Sequence, residues 1–157
     1  MKKSSVTVKA IAFIVVILVL GTLSSFSVEW IRGVSIGDIY GTFNLPPLAP
    51  PKLRFGPAWG LLYILLGIYC ANLSFVKKNR QSLYTYMYVQ LALNIFWTVI
   101  FFSFSNFLLA TIMIVAMDVL VIAIIWIDKR RIKLLLVPYL LWLLFATYLS
   151  SSVLILN

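Results

Sequence analysis

Long apolar runs alternate along this chain with short polar ones, and each apolar run is close to the thickness of a bilayer. Five are visible, at about 8–28, 55–76, 83–104, 107–127 and 134–154. A helix of roughly 20 apolar residues crosses the hydrocarbon core, so each run predicts one span. The one long connection, 29–54, mixes Glu29, Arg32, Gly33, Asp38 and Asn44 with Trp30, Ile36, Tyr40 and Phe43. A connection of that length inside a compact chain is functional or disordered, and its aromatics and fixed-φ prolines predict an ordered lid. The pattern reads as an all-α integral membrane protein, a five-transmembrane-helix bundle forming one domain over 1–157.

The first run has a second reading. Lys2, Lys3 and Lys9 precede Ala10 to Leu23, and Ser25 and Ser27 follow, which is also how a secretory signal peptide is laid out. Val8 to Val28 is long enough to span, and a retained helix is the reading adopted.

Pro46 to Tyr63, PPLAPPKLRFGPAWGLLY, is the most distinctive stretch. Two proline pairs keep its first half extended, and Pro57 suits the opening turn of a helix, where its missing N–H costs nothing. Trp59 and Tyr63 then share one helix face. That face, at the end of a stiff segment, is where a ligand is expected. Gly56 and Gly60 make a small-xxx-small pair that would let another helix approach closely.

Polar groups inside the other spans point inward, because hydrocarbon offers them no partner. Gln90, Asn94 and Trp97 fall at i, i+4 and i+7. Asp118 is the one acid near the middle of a span, and with no cation inside a span to pair with, a protonated or amide-bonded carboxyl is expected. In the fifth run Tyr139, Trp142, Ala146 and Leu149 share a face, and Pro138 is expected to bend the helix and free a carbonyl near Leu134. The bland alternative for the amides is glue between helices.

Composition agrees and narrows the chemistry. The 157 residues are 63% hydrophobic and 11% charged, far from the balance of a soluble domain. The net charge of +9 does not indicate nucleic acid, because the cations cluster beside the apolar runs. Ten of them (Lys2, Lys3, Lys9, Lys77, Lys78, Arg80, Lys129, Arg130, Arg131, Lys133) fall on one side, against Arg32, Lys52 and Arg54 on the other. The positive-inside rule then sets the N-terminus in the cytoplasm, with the long loop and C-terminus external. With one cysteine and no histidine, no disulfide, zinc or haem ligand set is readable, and no metal site or resident cofactor is expected.

Three blocks, PPLAPPKLRFGPAWGLLY (46–63), QLALNIFWTVIFF (90–102) and PYLLWLLFATYLSSSVLILN (138–157), resemble the translocator protein family. Its members are also called tryptophan-rich sensory proteins or peripheral-type benzodiazepine receptors. The resemblance runs from Tyr40 to Asn157. Two lid positions depart from it: Ile39-Tyr40 stands for a Trp-Tyr pair, and Leu48 for a Trp. The cholesterol-associated pattern is missing its cation after Tyr148. The resemblance implies a five-helix bundle, often a homodimer, in a bacterial cell membrane, binding porphyrins and other apolar aromatic ligands. It carries the pocket onto Tyr40, Pro51, Trp59, Tyr63, Asn94, Trp97, Trp142 and Ala146, with Gln90 and Asp118 as further candidate polar contacts. It also implies that Trp59 and Trp142 take part in light-dependent porphyrin breakdown. Three functions follow: a receptor or carrier for a tetrapyrrole, with Lys52 and Arg54 meeting its propionates; a porphyrin-degrading enzyme; or a regulatory interaction protein.

Overall fold

The computed structural model describes residues 2–157, with side chains from Ser5 onward. Helix α1 runs from Lys2 to Arg32 and α2 is a short helix, Ile36–Gly41. A 3-10 turn at Lys52–Arg54 leads into α3, Phe55–Asn72. Helix α4, Arg80–Thr98, continues into a π-helical turn at Val99–Ser103. Helix α5 is Phe107–Ile127, and a 3-10 turn at Arg131–Leu135 opens α6, Leu136–Leu156. Among the described residues five helical segments are long and apolar enough to cross a membrane.

Local chemistry explains most of the boundaries. Asn106 caps α5, its Oδ1 accepting the Leu109 N–H at 3.1 Å, as short polar side chains do at helix starts. Ser35 caps α2 by accepting the Asp38 N–H at 3.1 Å. The expected bend at Pro138 is corrected by where α6 begins. Pro138 sits in its first turn, among donors that have no helical partner anyway, and the Leu134 carbonyl accepts from the Leu136 N–H. The first helix is longer than its apolar run at both ends. It carries Glu29 through Arg32 as helix rather than loop, so the lid shrinks to residues 33–54.

Helix α1 packs on α3, α4 on α5, and α5 on α6, with α3 also meeting α6. The α1–α3 seam is close because glycines allow it. A Cβ built on Gly67 would lie 2.8 Å from the backbone nitrogen of Ile14, and one on Gly21 would lie 2.5 Å from the Tyr63 ring. Lower in the bundle a core forms from Leu66, Tyr69, Leu83, Met87, Ile114, Leu136 and Tyr139. A second cluster, with Val28, Tyr40, Phe101, Phe102, Ala110 and Val153, lies toward the lid. Val15, Val16, Val19 and Leu23 of α1 stay exposed, as a lipid-facing surface requires.

The lid is tied down by hydrogen bonds over long sequence separations. Asn44 and Asn157 exchange bonds, Asn44 N–H to Asn157 Oδ1 at 2.9 Å and Asn157 Nδ2 to the Asn44 carbonyl at 3.1 Å. Tyr148 Oη donates to the Pro47 carbonyl at 2.7 Å, and Tyr40 Oη to that of Pro50 at 3.0 Å. At the opposite end a buried latch holds the helix termini. Asp128, 2% exposed, accepts from Tyr69 Oη at 2.8 Å and from both Nε and Nη2 of Arg130. Arg130 Nη1 donates to the Asn72 carbonyl at 2.6 Å, which joins the end of α3 to the α5–α6 connection.

Candidate functional site

The cavity is built where α1 and α3 part company. Below, Gly21 and Gly67 hold these helices together; above, a Cβ added at Gly56 or Gly60 would meet nothing within 4 Å. The space left there is a cavity of about 380 Å³ under the lid. Gly56 and Gly60 line it, so the small pair faces the cavity and the close helix approach falls on the other two glycines.

Its walls are aromatic. Trp59 and Tyr63 stand on α3, Trp97 on α4, Trp142 and Ala146 on α6, and Tyr40 on α2. Trp59 and Trp142 meet edge to face with ring centres 6.1 Å apart, and Phe55 meets Trp142 in the same way at 6.1 Å. Edge-to-face pairs of this kind set the positive ring edge against the negative face of the next ring. Trp97 stacks on Phe101 at 4.8 Å and spends its indole N–H on the Ala110 carbonyl at 3.0 Å. The Trp142 indole N–H is buried and has no acceptor among the described residues. Nearly all buried polar groups are hydrogen-bonded, so this indole N–H is one of the few exceptions among the described residues.

The π turn supplies two more rings. Inserting one residue into a helix shifts the next side chains around the axis, and here both Phe101 and Phe102, though consecutive, line the cavity. Neither was among the candidates, because regular 3.6-residue spacing puts only one of two neighbours on a given face. The α1 contribution was also missed. Leu18, Gly21, Thr22, Ser25 and Glu29 form one wall, and the run of small residues at 21, 22 and 25 is the signal that marks it.

The remaining candidates stand off the main cavity. Pro51 borders a shallower depression outside the lid, beside Asp38 and Lys52. Asn94 and Gln90 lie behind the wall in a relay. Tyr63 Oη donates to Asn94 Oδ1 at 3.0 Å, Asn94 Nδ2 to Tyr139 Oη at 3.0 Å, and Tyr139 Oη to Gln90 Oε1 at 2.7 Å. These amides join α3, α4 and α6, and they orient Tyr63 from behind. Asp118 is further away, in the α5–α6 seam. Its Oδ2 accepts from the Thr147 hydroxyl at 2.6 Å, and its Oδ1 has no partner among the described residues. The partner is a hydroxyl, so of the two expectations, a protonated or an amide-bonded carboxyl, the amide bond is not the one found.

At the mouth, Lys52 lines the cavity and Arg54 does not. Lys52 Nζ lies 3.4 Å from Asp38 Oδ1. The Ser35 hydroxyl, followed by Lys52, holds the Asp38 carboxyl below its ordinary range.

Residues 12–156 match the family model described as the TspO/MBR family. The chain is 36% identical over 153 residues to the tryptophan-rich protein TspO of Archaeoglobus fulgidus, covering 95% of this chain and 97% of that one. It is 32% identical to the tryptophan-rich sensory protein of Cereibacter sphaeroides (75% of this chain, 76% of the other). Protein CrtK of Rhodobacter capsulatus is also 32% identical, with coverage of 78% and 81%. A match of that extent, on a five-helix membrane bundle with an aromatic cavity under its first loop, makes this chain a member of the TspO/MBR family.

Proposed function

We propose that this protein is a membrane receptor or carrier for porphyrins and related flat, apolar aromatic ligands, bound in the cavity under the lid. The observation that carries the reading is the wall itself: four aromatic side chains, Trp59, Tyr63, Trp97 and Trp142, from three helices around one space of about 380 Å³. Ligand sites are mostly apolar concavities of about 300–1,000 Å³ with a few placed polar groups. The polar groups here are the unpartnered Trp142 indole N–H and, at the mouth, Lys52. A ring stacked among the indoles can turn a carboxylate toward Lys52. No resident cofactor is needed, since the tetrapyrrole is the ligand.

A second reading rests on the edge contact between Trp59 and Trp142. An excited porphyrin takes one electron from an indole, giving a porphyrin radical anion and an indole radical cation. Dioxygen takes that electron as superoxide, the indole radical cation recovers an electron from the ring, and superoxide adds to the ring radical cation so formed, giving an oxygenated ring with the indole restored. Indole is far easier to oxidise than phenyl, so the two readings separate on Trp59→Phe and Trp142→Phe. Both variants keep a ring of similar shape and are expected to weaken protoporphyrin binding by only about 1 kcal/mol. Under illumination, a much larger fall in porphyrin loss than in binding supports degradation. Equal falls support the receptor, and undiminished binding and turnover in the double variant would remove the cavity from either role.

The ten-to-three distribution of cations supports a cytoplasmic N-terminus, with the lid and C-terminus external. A reporter fused after Asn157 should behave as external; cytoplasmic activity would reverse the orientation.

A further inference from the structure

Two charged side chains line the cavity among the described residues, Lys52 and Glu29, and the porphyrin reading uses only the first. Glu29 sits in the last turn of α1 and is half-buried on the cavity wall. Neither nearby cation forms an ion pair with it. Arg32, one turn on, directs Nη1 to the Ser103 carbonyl at 3.4 Å, and Lys52 is held by Asp38 at 3.4 Å. No ion pair or side-chain hydrogen bond of Glu29 is present among the described residues. A half-buried carboxylate lining an aromatic cavity without such a partner leaves its charge open to a ligand group of opposite sign.

We propose that Glu29 is a specificity-determining residue of this cavity, favouring apolar aromatic ligands that present an ammonium or other donor group at the mouth and opposing a second carboxylate there. The inference rests on the cavity being the ligand site. For a tetrapyrrole it has a definite consequence. Two propionates on one ring edge cannot both be accommodated equally, because one meets Lys52 and the other is set against Glu29. Two carboxylates brought together cannot both remain ionised without penalty. The mouth thus favours one anionic arm over two, a preference that aromatic stacking alone does not produce. The indole walls supply the affinity for the ring, and the charged pair at the rim sorts its substituents.

The test uses the full-length protein in detergent and two probe sets, read by calorimetry. The first set is a naphthyl-ethylammonium and a naphthyl-propanoate of matched length. The second is protoporphyrin IX as dicarboxylate, monoester and diester. In Glu29→Gln the ammonium probe should weaken by roughly fivefold, the dicarboxylate porphyrin should tighten by a similar factor, and the diester should not change. Lys52→Gln should do the opposite to the carboxylate ligands. In the unaltered protein the preference for the ammonium probe should shrink as salt is raised, a readout that does not depend on any variant folding. Equal shifts for charged and uncharged ligands in Glu29→Gln, or a preference insensitive to both salt and the substitution, would overturn the assignment. If the naphthyl pair responds as expected while no tetrapyrrole binds, the porphyrin reading fails and the role of Glu29 stands.

Discussion

Asp118 shows how a single side chain is tolerated where the solvent is hydrocarbon. It is 6% exposed, and among the described residues its one hydrogen bond is from the Thr147 hydroxyl. A charge at membrane depth costs several kcal/mol unless it is paired, and nothing cationic pairs with it here. A neutral carboxyl is the form that fits, and asparagine reproduces its shape and its acceptor. Asp118→Asn is therefore expected to melt within about 1 kcal/mol of the parent, whereas Asp118→Lys should fail to fold. Thermal unfolding in detergent checks both. A large loss in Asp118→Asn would mean the charged form is required. Thr111 and Ser150 bond 2.9 Å apart across the same two helices, so this seam is held by hydroxyls along much of its length.

At the scale of elements, the α1–α3 pair sets the shape of the cavity, and its glycines divide into two kinds. Gly67 touches the Ile14 backbone, which cannot swing aside as a flexible side chain can. Gly60 faces open space. Gly67→Ala should destabilise by about 1–3 kcal/mol through overpacking. Gly60→Ala should leave the melting temperature unchanged or raise it slightly, alanine being the better helix former, while narrowing the cavity. Melting curves of the two variants test the division, and equal destabilisation would contradict it. The π turn in α4 is the other element-scale device. A regular helix would present only one of these two neighbouring phenylalanines to the lid, whereas the wider turn presents Phe101 and Phe102, which also pack on Phe43.

For the molecule as a whole, the buried latch at the cation-rich end links α3 to the α5–α6 connection. Burial alone would raise the Asp128 carboxyl, but hydrogen bonds and charge from Arg130, with the Tyr69 hydroxyl, hold it below its ordinary value. A group depressed in the folded state contributes stability above its unfolded pKa of about 3.9 and loses it as pH falls through the folded value. The melting temperature is expected to drop as pH is lowered below about 4. Asp128→Asn should remove part of that acid dependence and cost about 3 kcal/mol at neutral pH, because Arg130 loses its buried counter-charge. A parent and variant with parallel pH profiles would show that the latch does not titrate. The lid end offers no equivalent, since the Lys52–Asp38 pair is exposed and contributes little.

Bilayer thickness is a fixed length, so runs of the right length and composition were enough to determine five spans, their order and the all-helical class. Capping chemistry is equally local, and Asn106 was readable as the start of α5. The aromatic face of α3 and those of α4 and α6 followed from helical spacing, while the meeting of Trp59, Tyr63, Trp97 and Trp142 at one space was implied by the family resemblance and is seen in the helix packing. The tertiary structure alone decided the rest. In a span that is apolar all round, periodicity carries no inward direction, so only the small residues at 21, 22 and 25 marked the wall supplied by α1, and Glu29 on it had no signal of its own. The π turn broke the spacing rule at Phe101 and Phe102. Asp128 and Arg130 gave no local sign of a latch, because their respective partners Tyr69 and Asn72 lie more than fifty residues away. Pro138 read as a kink because the start of α6 depends on where the preceding 3-10 turn ends. Local rules set which segments become helices; which side of each faces the cavity is a property of their contacts.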